Sequence, residues 1–325
     1  SWTEVGDIPT ATGGGMGGGG SATNGIYAGG QVPGAVNETY EWDWSSTLAA
    51  GAWASGTAVN TGRKYAAGMG IQTAALIAAG GVPGGIHGEV ESWDGSSWTE
   101  ETDVTLARWS PGGAGTQTAA LVFAGLTSPS AMETETESWN GASWTEVGDL
   151  NQGKGYVASD GTQTAAWAAS GTIGPEYVAT HEQYNGTSWT EAADLNTLRA
   201  FATGFGTTTA GITVGGLPAK ANCESWNGTS WTEVGDLNEA KYNFASAGIQ
   251  SAGLVFGGIL PGGQTANTEQ WDGSAWTEVA NLPAATSRTA GIGTQSLALQ
   301  VSGGEPMQAA VNEWTIGQNI KTITD

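Results

Sequence analysis

The chain has 325 residues, of which only 12% are charged, and its 31 Asp+Glu against nine Lys+Arg leave a formal net charge of −22. That balance argues against nucleic acid, where cations must neutralise phosphates, and against anionic membrane surfaces. No apolar run approaches the ~20 residues of a spanning helix, and one cysteine, Cys223, permits no internal disulfide.

Cys223 reads as a small buried hydrophobe, so the fold rests on packing alone. An acidic shell keeps such a chain soluble and suits a salty medium that screens its self-repulsion. The chain opens on Ser1-Trp2-Thr3-Glu4, with neither initiator Met nor signal peptide, and reads as a processed product or a piece of a longer protein.

In chain order, residues 1–6 carry one outer strand with nothing before it. The glycine run 13–20 reads as a strand of minimal width; no helix follows it, so it is not a phosphate cradle. Tyr40-Glu41-Trp42-Asp43 leads to Trp53 through a long turn. From there one phrase recurs: ESWDGSSWTE at 91–100, ESWNGASWTE at 137–146, EQYNGTSWTE at 182–191, ESWNGTSWTE at 224–233 and EQWDGSAWTE at 269–278. Its second Trp falls at 2, 53, 98, 144, 189, 231 and 276. Its first aromatic is Trp42, Trp93, Trp139, Tyr184, Trp226, Trp271 and Trp314. Two series of seven at this period predict an all-β, seven-bladed β-propeller.

Each unit predicts four antiparallel strands, a to d. Strands a and b are narrow where blades converge. The Glu-x-Trp segment is c, Trp-Thr-Glu is d, and Asp-Gly or Asn-Gly supplies the hairpin between them. The structural aromatics are Trp2, Trp42, Trp53, Trp93, Trp98, Trp139, Trp144, Tyr184, Trp189, Trp226, Trp231, Trp271, Trp276 and Trp314. The last unit lacks its own strand d, so residues 1–5 are expected to complete it and close the ring, which removes exposed edges. Residues 1–314 then form one propeller, and 315–325 a tail or linker in which 320–324 is a competing outer strand.

The double glycine after strand b, the strand-d Trp and the basic residue opening strand a resemble the kelch repeat, across nearly the whole chain. Trp on strand c, where Tyr is common, departs from it. The wording ESWNGTSWTEV and GTQTAAL resembles kelch-like repeat proteins of marine bacteriophages. That resemblance implies a virion component such as a tail fibre or another surface protein.

Seven variable b–c loops, 29–39, 80–90, 125–136, 171–181, 215–222, 257–268 and 303–310, share one face and each carries a proline. Variable loops on a rigid scaffold are where binding usually sits, and His87, Met132, Tyr177 and His181 are candidate contacts there. Arg63, Arg108, Lys154, Arg199 and Lys241 each lie ten residues after a strand-d Trp, and Arg288 twelve after Trp276, across a two-residue insertion. This ring of cations is either a positive collar holding carboxylates at the channel mouth or a set of pairs with Glu91, Glu137, Glu182, Glu224 and Glu269. Joint repetition favours the pairs. The histidines make no metal site, no acid/base pair, nucleophile elbow or phosphate loop stands out, and no cofactor is expected. The expected role is a non-enzymatic virion surface or tail-associated module that is structural or attaches to a host glycan or protein. Its partners would be other virion proteins or that host surface, with no nucleic acid and no membrane insertion. The alternative is a secreted or cell-surface lectin or adhesin.

Overall fold

The computed structural model describes residues 51–128, 131–218 and 220–316, and the strands Gly17–Gly20, Asn24–Ala28 and Thr39–Asp43. The chain divides into two compact units, Gly51–Thr315 and a smaller one of Ser1–Ala50 with Ile316–Asp325. In the smaller unit the three strands form an antiparallel sheet in sequence order, with Gly17 opposite Ala28 and Asn24 opposite Asp43.

The larger unit is a six-bladed propeller. Blades one to five each take strands a to d from consecutive sequence. Blade one is Ala67–Ile71, Ala74–Ala78, Val90–Trp93 and Trp98–Glu100; blade two is Gly112–Gly115, Ala120–Phe123, Thr136–Trp139 and Trp144–Glu146. Blade three is Ala158–Thr162, Ala165–Ala169, His181–Tyr184 and Trp189–Ala192; blade four is Thr203–Thr207, Ala210–Val214, Cys223–Trp226 and Trp231–Val234. Blade five is Ala245–Ile249, Ala252–Phe256, Thr268–Trp271 and Trp276–Val279. Blade six joins Ala290–Gly293, Leu297–Gly303 and Gln308–Thr315 to Ala52–Ser55, with Trp53 opposite Trp314.

The expectation of seven blades closed by residues 1–5 is therefore corrected: there are six, and the strand bearing Trp53 closes the ring. The cause is the connection before it. In blades one to five a short capped turn forces c and d together; Asp94 Oδ1, for instance, accepts the amides of Ser96 and Ser97 at 2.8 Å. In the sequence eight residues, 44–51, separate Thr39–Asp43 from the Trp53 strand, too many for that tight turn, and the Trp53 strand pairs with Gln308–Thr315. Residues 1–5 with Trp2, Pro33 and Pro129, and residues 317–325 with the competing strand 320–324, lie outside the described residues. Strand c of blade six ends at Thr315, one residue past the expected boundary of the propeller.

Backbone hydrogen bonds count the blades independently. The amides of Gly80, Gly125, Gly171, Gly216 and Gly258 donate to the carbonyls of Arg108, Lys154, Arg199, Lys241 and Thr286 in the next blade, at 2.8–3.0 Å. Gly303 donates to Arg63 at 2.8 Å and closes the circle. These glycines take φ from +94° to +113°, a region closed to L side chains. A Cβ on Gly303 would stand 2.7 Å from Ser287 O.

Within each blade strand b is the buried layer, while strand d turns its Thr and Glu to solvent. The outward Glu100, Glu146, Glu191, Glu233 and Glu278 spread the negative charge around the rim. Tryptophan pairs across strands c and d lie with ring centroids 5.1–5.4 Å apart, Trp53–Trp314 included. A recurrent glutamine after strand a ties the blades together. Gln72, Gln117 and Gln250 donate to the backbone carbonyls of Trp314, Trp93 and Trp226 in the preceding blade at 2.5–2.7 Å, and Gln163 and Gln295 do the same to Trp139 and Trp271.

Candidate binding face

Five of the six expected ring cations are buried rather than displayed. The side chains of Arg63, Arg108, Lys154, Arg199 and Lys241 are 0–1% exposed, and none lines the channel. Arg108 and Arg199 meet Glu137 and Glu224 at 2.6 Å, Lys241 meets Glu269 at 2.8 Å and Lys154 meets Glu182 at 3.0 Å; Arg63 pairs with Glu91. The reason lies in the strand register. Each of these glutamates on strand c sits opposite a second glutamate on strand d, as Glu137 does to Glu146, and like charges in that position repel. The cation offsets the inner carboxylate. The same carboxylate also accepts amides from the d–a crossover, Thr105 at 2.6 Å in blade two and Asn196 at 2.7 Å in blade four. Burying these charges is tolerable because each is paired and all but one are also hydrogen-bonded; the Lys241 ammonium has its Glu269 pair and the Phe244 ring at 5.6 Å.

Arg288 is not the sixth member of that set. Hydrogen bonding places Thr286, ten residues after Trp276, at the cation position, with no insertion. Asn312 stands where the other blades carry the glutamate, so blade six has lost both charges together. Arg288 lies two residues further on, in a collar at the channel mouth.

The collar takes one residue from each blade: Tyr65, Ser110, Tyr156, Phe201, Asn243 and Arg288. All six have φ between +52° and +58°. Their amides and carbonyls run head to tail: Arg288 N to Asn243 O at 2.8 Å, Asn243 to Phe201 at 3.0 Å, Phe201 to Tyr156 at 3.3 Å, Ser110 to Tyr65 and Tyr65 to Arg288 at 2.9 Å. Only Asn243 is a residue that favours this left-handed conformation; for bulky side chains it costs on the order of 1–3 kcal/mol.

Above that backbone the rings of Tyr156 and Phe201 lie 4.0 Å apart, and Tyr65 meets Tyr156 at 5.6 Å and Trp109 at 6.2 Å. Arg288 Nε donates to the Tyr65 hydroxyl at 2.7 Å, and Arg288 Nη1 and Lys64 Nζ reach Glu305 Oε1 at 2.5 and 2.7 Å. The Lys64 hydrogen bond, with the charges of Lys64 and Arg288, lowers the Glu305 carboxyl. Burial pushes the Tyr156 phenol up to about 12.

The six collar residues and the a strands of all six blades line an open cavity of about 200 Å3. Asp160 stands in its wall. It is half-buried in the channel lining, and desolvation there pushes its carboxyl up to about 7, against the pull of the Gly206 amide at 2.7 Å.

The b–c connections rise around this mouth. In blades one, two, three and five they are short hairpins rather than loops: Gly81–Val82 with Gly85–Ile86, Leu126–Ser128 with Ala131–Met132, Thr172–Ile173 with Glu176–Tyr177, and Ile259–Leu260 with Gly263–Gln264. His87 is half exposed, 3.2 Å from Glu89. Met132 is half-buried, and its sulfur accepts the Gly174 amide of the next blade at 3.0 Å. Tyr177 is half-buried on its hairpin. His181 is a correction: it opens strand c of blade three and is 1% exposed, among Trp167, Trp226 and Trp231. Burial lowers its pKa to about 4, so it is a neutral core residue.

Sequence reasoning missed the collar. The signal was the aromatic two residues beyond a cation, at Tyr65, Tyr156 and Phe201.

No family model matches the chain, and no curated protein matches it. Solved structures do match in shape. One is the structure of YjhT, with a TM-score of 0.68 over 81% of this chain and 98% of that one, at 11% identity. Similarity of that order shows the β-propeller fold alone.

Proposed function

We propose that the chain is a non-enzymatic, kelch-like binding module of a phage virion surface or tail-associated assembly, attaching to a host glycan or protein through the face that carries the b–c hairpins. The observation that carries this reading is the contrast between the two faces. The a–b turns and c–d hairpins repeat almost residue for residue, whereas the b–c hairpins differ in every blade and rim an open mouth. A stiff ring bearing dissimilar hairpins is suited to recognition. The kelch part of the reading is supported by the left-handed glycine after strand b in every blade, preceded by a second left-handed glycine in blades four and five, and the phage part by the resemblance of the repeated wording.

The test is adsorption of the purified, fluorescently labelled chain to bacterial cells from saline water. Saturable binding to some hosts, abolished by substitutions in the b–c hairpins and unaffected by substitutions in the c–d turns, is the expected result. Uniform failure to bind, or binding lost only with the c–d turns, refutes it.

A further inference from the structure

Six consecutive blades bend the backbone into the left-handed region at the hub, and glycine or asparagine would hold that bend with least strain. The hydrogen bonds of the collar are made by backbone atoms and need no particular side chain. Tyrosine, tyrosine and phenylalanine nevertheless occupy three of the positions, half-buried, with their rings at the cavity mouth. An observed strain that the scaffold does not require points to a use for the side chain.

Polar groups accompany the rings. The Tyr65 hydroxyl, the Asn243 amide and the Arg288 guanidinium lie within one cluster, Asn243 Nδ2 standing 3.5 Å from the Tyr65 oxygen. The two cations at the mouth already share Glu305, and Glu89, Glu133, Glu135 and Glu176 stand on the surrounding b–c segments. An anionic ligand would meet net repulsion there. Flat aromatic faces beside hydrogen-bonding groups, with Arg288 and Lys64 already paired to Glu305 and Lys220 the one further cation on the described b–c segments against four glutamates, match the chemistry of a neutral pyranose. Such a ring offers one face of C–H bonds to an aromatic surface and hydroxyls around its edge.

We infer that the collar is a sugar subsite, in which a neutral pyranose stacks on Tyr156 and Phe201 and hydrogen-bonds to Asn243 and the Tyr65 hydroxyl. This deepens the binding reading above and rests on it.

The experiment is saturation-transfer NMR on the full chain with the methyl glycosides of glucose, galactose, mannose and N-acetylglucosamine, and with methyl glucuronide as the anionic comparison. At least one neutral glycoside receives saturation on its ring C–H protons, at least tenfold more than the glucuronide does. Tyr156→Asn and Phe201→Asn, in which asparagine suits the left-handed backbone, reduce that signal at least fivefold, while Thr187→Ala, in an exposed c–d turn, keeps it. A second measurement needs no collar truncation. In wild-type protein labelled with 3-fluorotyrosine, the resonance assigned to Tyr156 through Tyr156→Phe shifts on adding the glycoside.

Absence of transfer to every neutral glycoside overturns the subsite. So does transfer that survives both asparagine variants, or a Tyr156 resonance that stays still. Host-cell adsorption that persists in any of these cases leaves the binding face intact and assigns it a different ligand. Failure of adsorption as well removes both.

Discussion

Replacing Arg199 by Thr and Glu224 by Asn copies into blade four what blade six already carries as Thr286 and Asn312, and it measures what the buried ion pair does. In the wild type, Arg199 Nη2 meets Glu224 at 2.6 Å, and Arg199 Nη1 donates to Gly215 O and Asn222 O at 3.2 and 2.7 Å. Removing the cation alone leaves a carboxylate in the core, and removing one partner of a buried pair costs about 3–5 kcal/mol. Glu224 keeps the amides of Asn196 and Thr197 at 2.7 and 3.1 Å, which puts Arg199→Thr near the lower end of that range. At roughly 2–4 °C per kcal/mol for a domain near this size, the melting temperature falls by at least about 6 °C. The double variant loses less than the sum of the singles by about 2 kcal/mol, because neither charge is then orphaned. Thermal melts of the four proteins, followed by near-ultraviolet circular dichroism of the packed indoles, give the cycle. Additive singles, or a melting temperature for Arg199→Thr within 2 °C of wild type, would refute the pairing argument.

Four further outcomes are expected. Cysteines at Ala54 and Glu313, which face each other across the closing pair, form a disulfide on oxidation, seen as faster migration on a non-reducing gel; two unreacted thiols would contradict closure by the Trp53 strand. Gly303→Ala, at φ +98° with its Cβ 2.7 Å from a carbonyl, lowers stability by about 1–3 kcal/mol in chemical denaturation, and an unchanged midpoint counts against the left-handed bend. Asp160 is raised from 3.8 to about 7, so its contribution is complete below pH 4 and declines as pH rises through 7, by up to about 4 kcal/mol; Asp160→Asn therefore gains stability over wild type between pH 5 and 8, and a pH-independent difference would be the wrong result. His181 is lowered from 6.5 to about 4, so its contribution holds above pH 6.5 and declines by about 3 kcal/mol as pH falls to 4. The two slopes oppose each other, so His181→Gln steepens the acid side of the Asp160 effect, and wild-type and variant melts that stay parallel from pH 4 to 7 would show that His181 does not titrate as described.

The blade itself was legible in the sequence, since short capped turns between the tryptophans fix strand pairing locally. The number of blades was not. Counting tryptophans gives seven whichever strand Trp53 joins, and only the long link 44–51 marked the place where local pairing is lost. The cation–glutamate pairs were readable from co-repetition, whereas Arg288 was assigned to them because spacing alone cannot tell an insertion from a shift of function. His181 was misplaced because polar residues near a loop read as exposed. Its environment is made by indoles from blades three and four that are 14 to 50 residues apart from it. The left-handed backbone of the collar was not legible, since tyrosine and phenylalanine do not announce it, and its one trace was the aromatic two residues beyond a cation.

Blade six shows how the ring separates stability from display. In blades one to five the cation and carboxylate are spent on each other in the core, and the recurrent glutamines and glycines satisfy neighbouring backbones. Blade six carries neither buried charge, yet Ser302 Oγ accepts the Arg63 amide at 2.7 Å, and Asn312 bonds Gln300 at 2.6 Å. Neutral partners thus fill the places the ion pair leaves. Its ion pair is found instead at the mouth, as Arg288 with Glu305. A core pair fixes one geometry, because breaking it strands a charge out of water. A pair that is 22% and 47% exposed can open at little cost, since water replaces each lost contact. Blade six is therefore the blade whose charges remain able to exchange partners, and it places them against the aromatic collar.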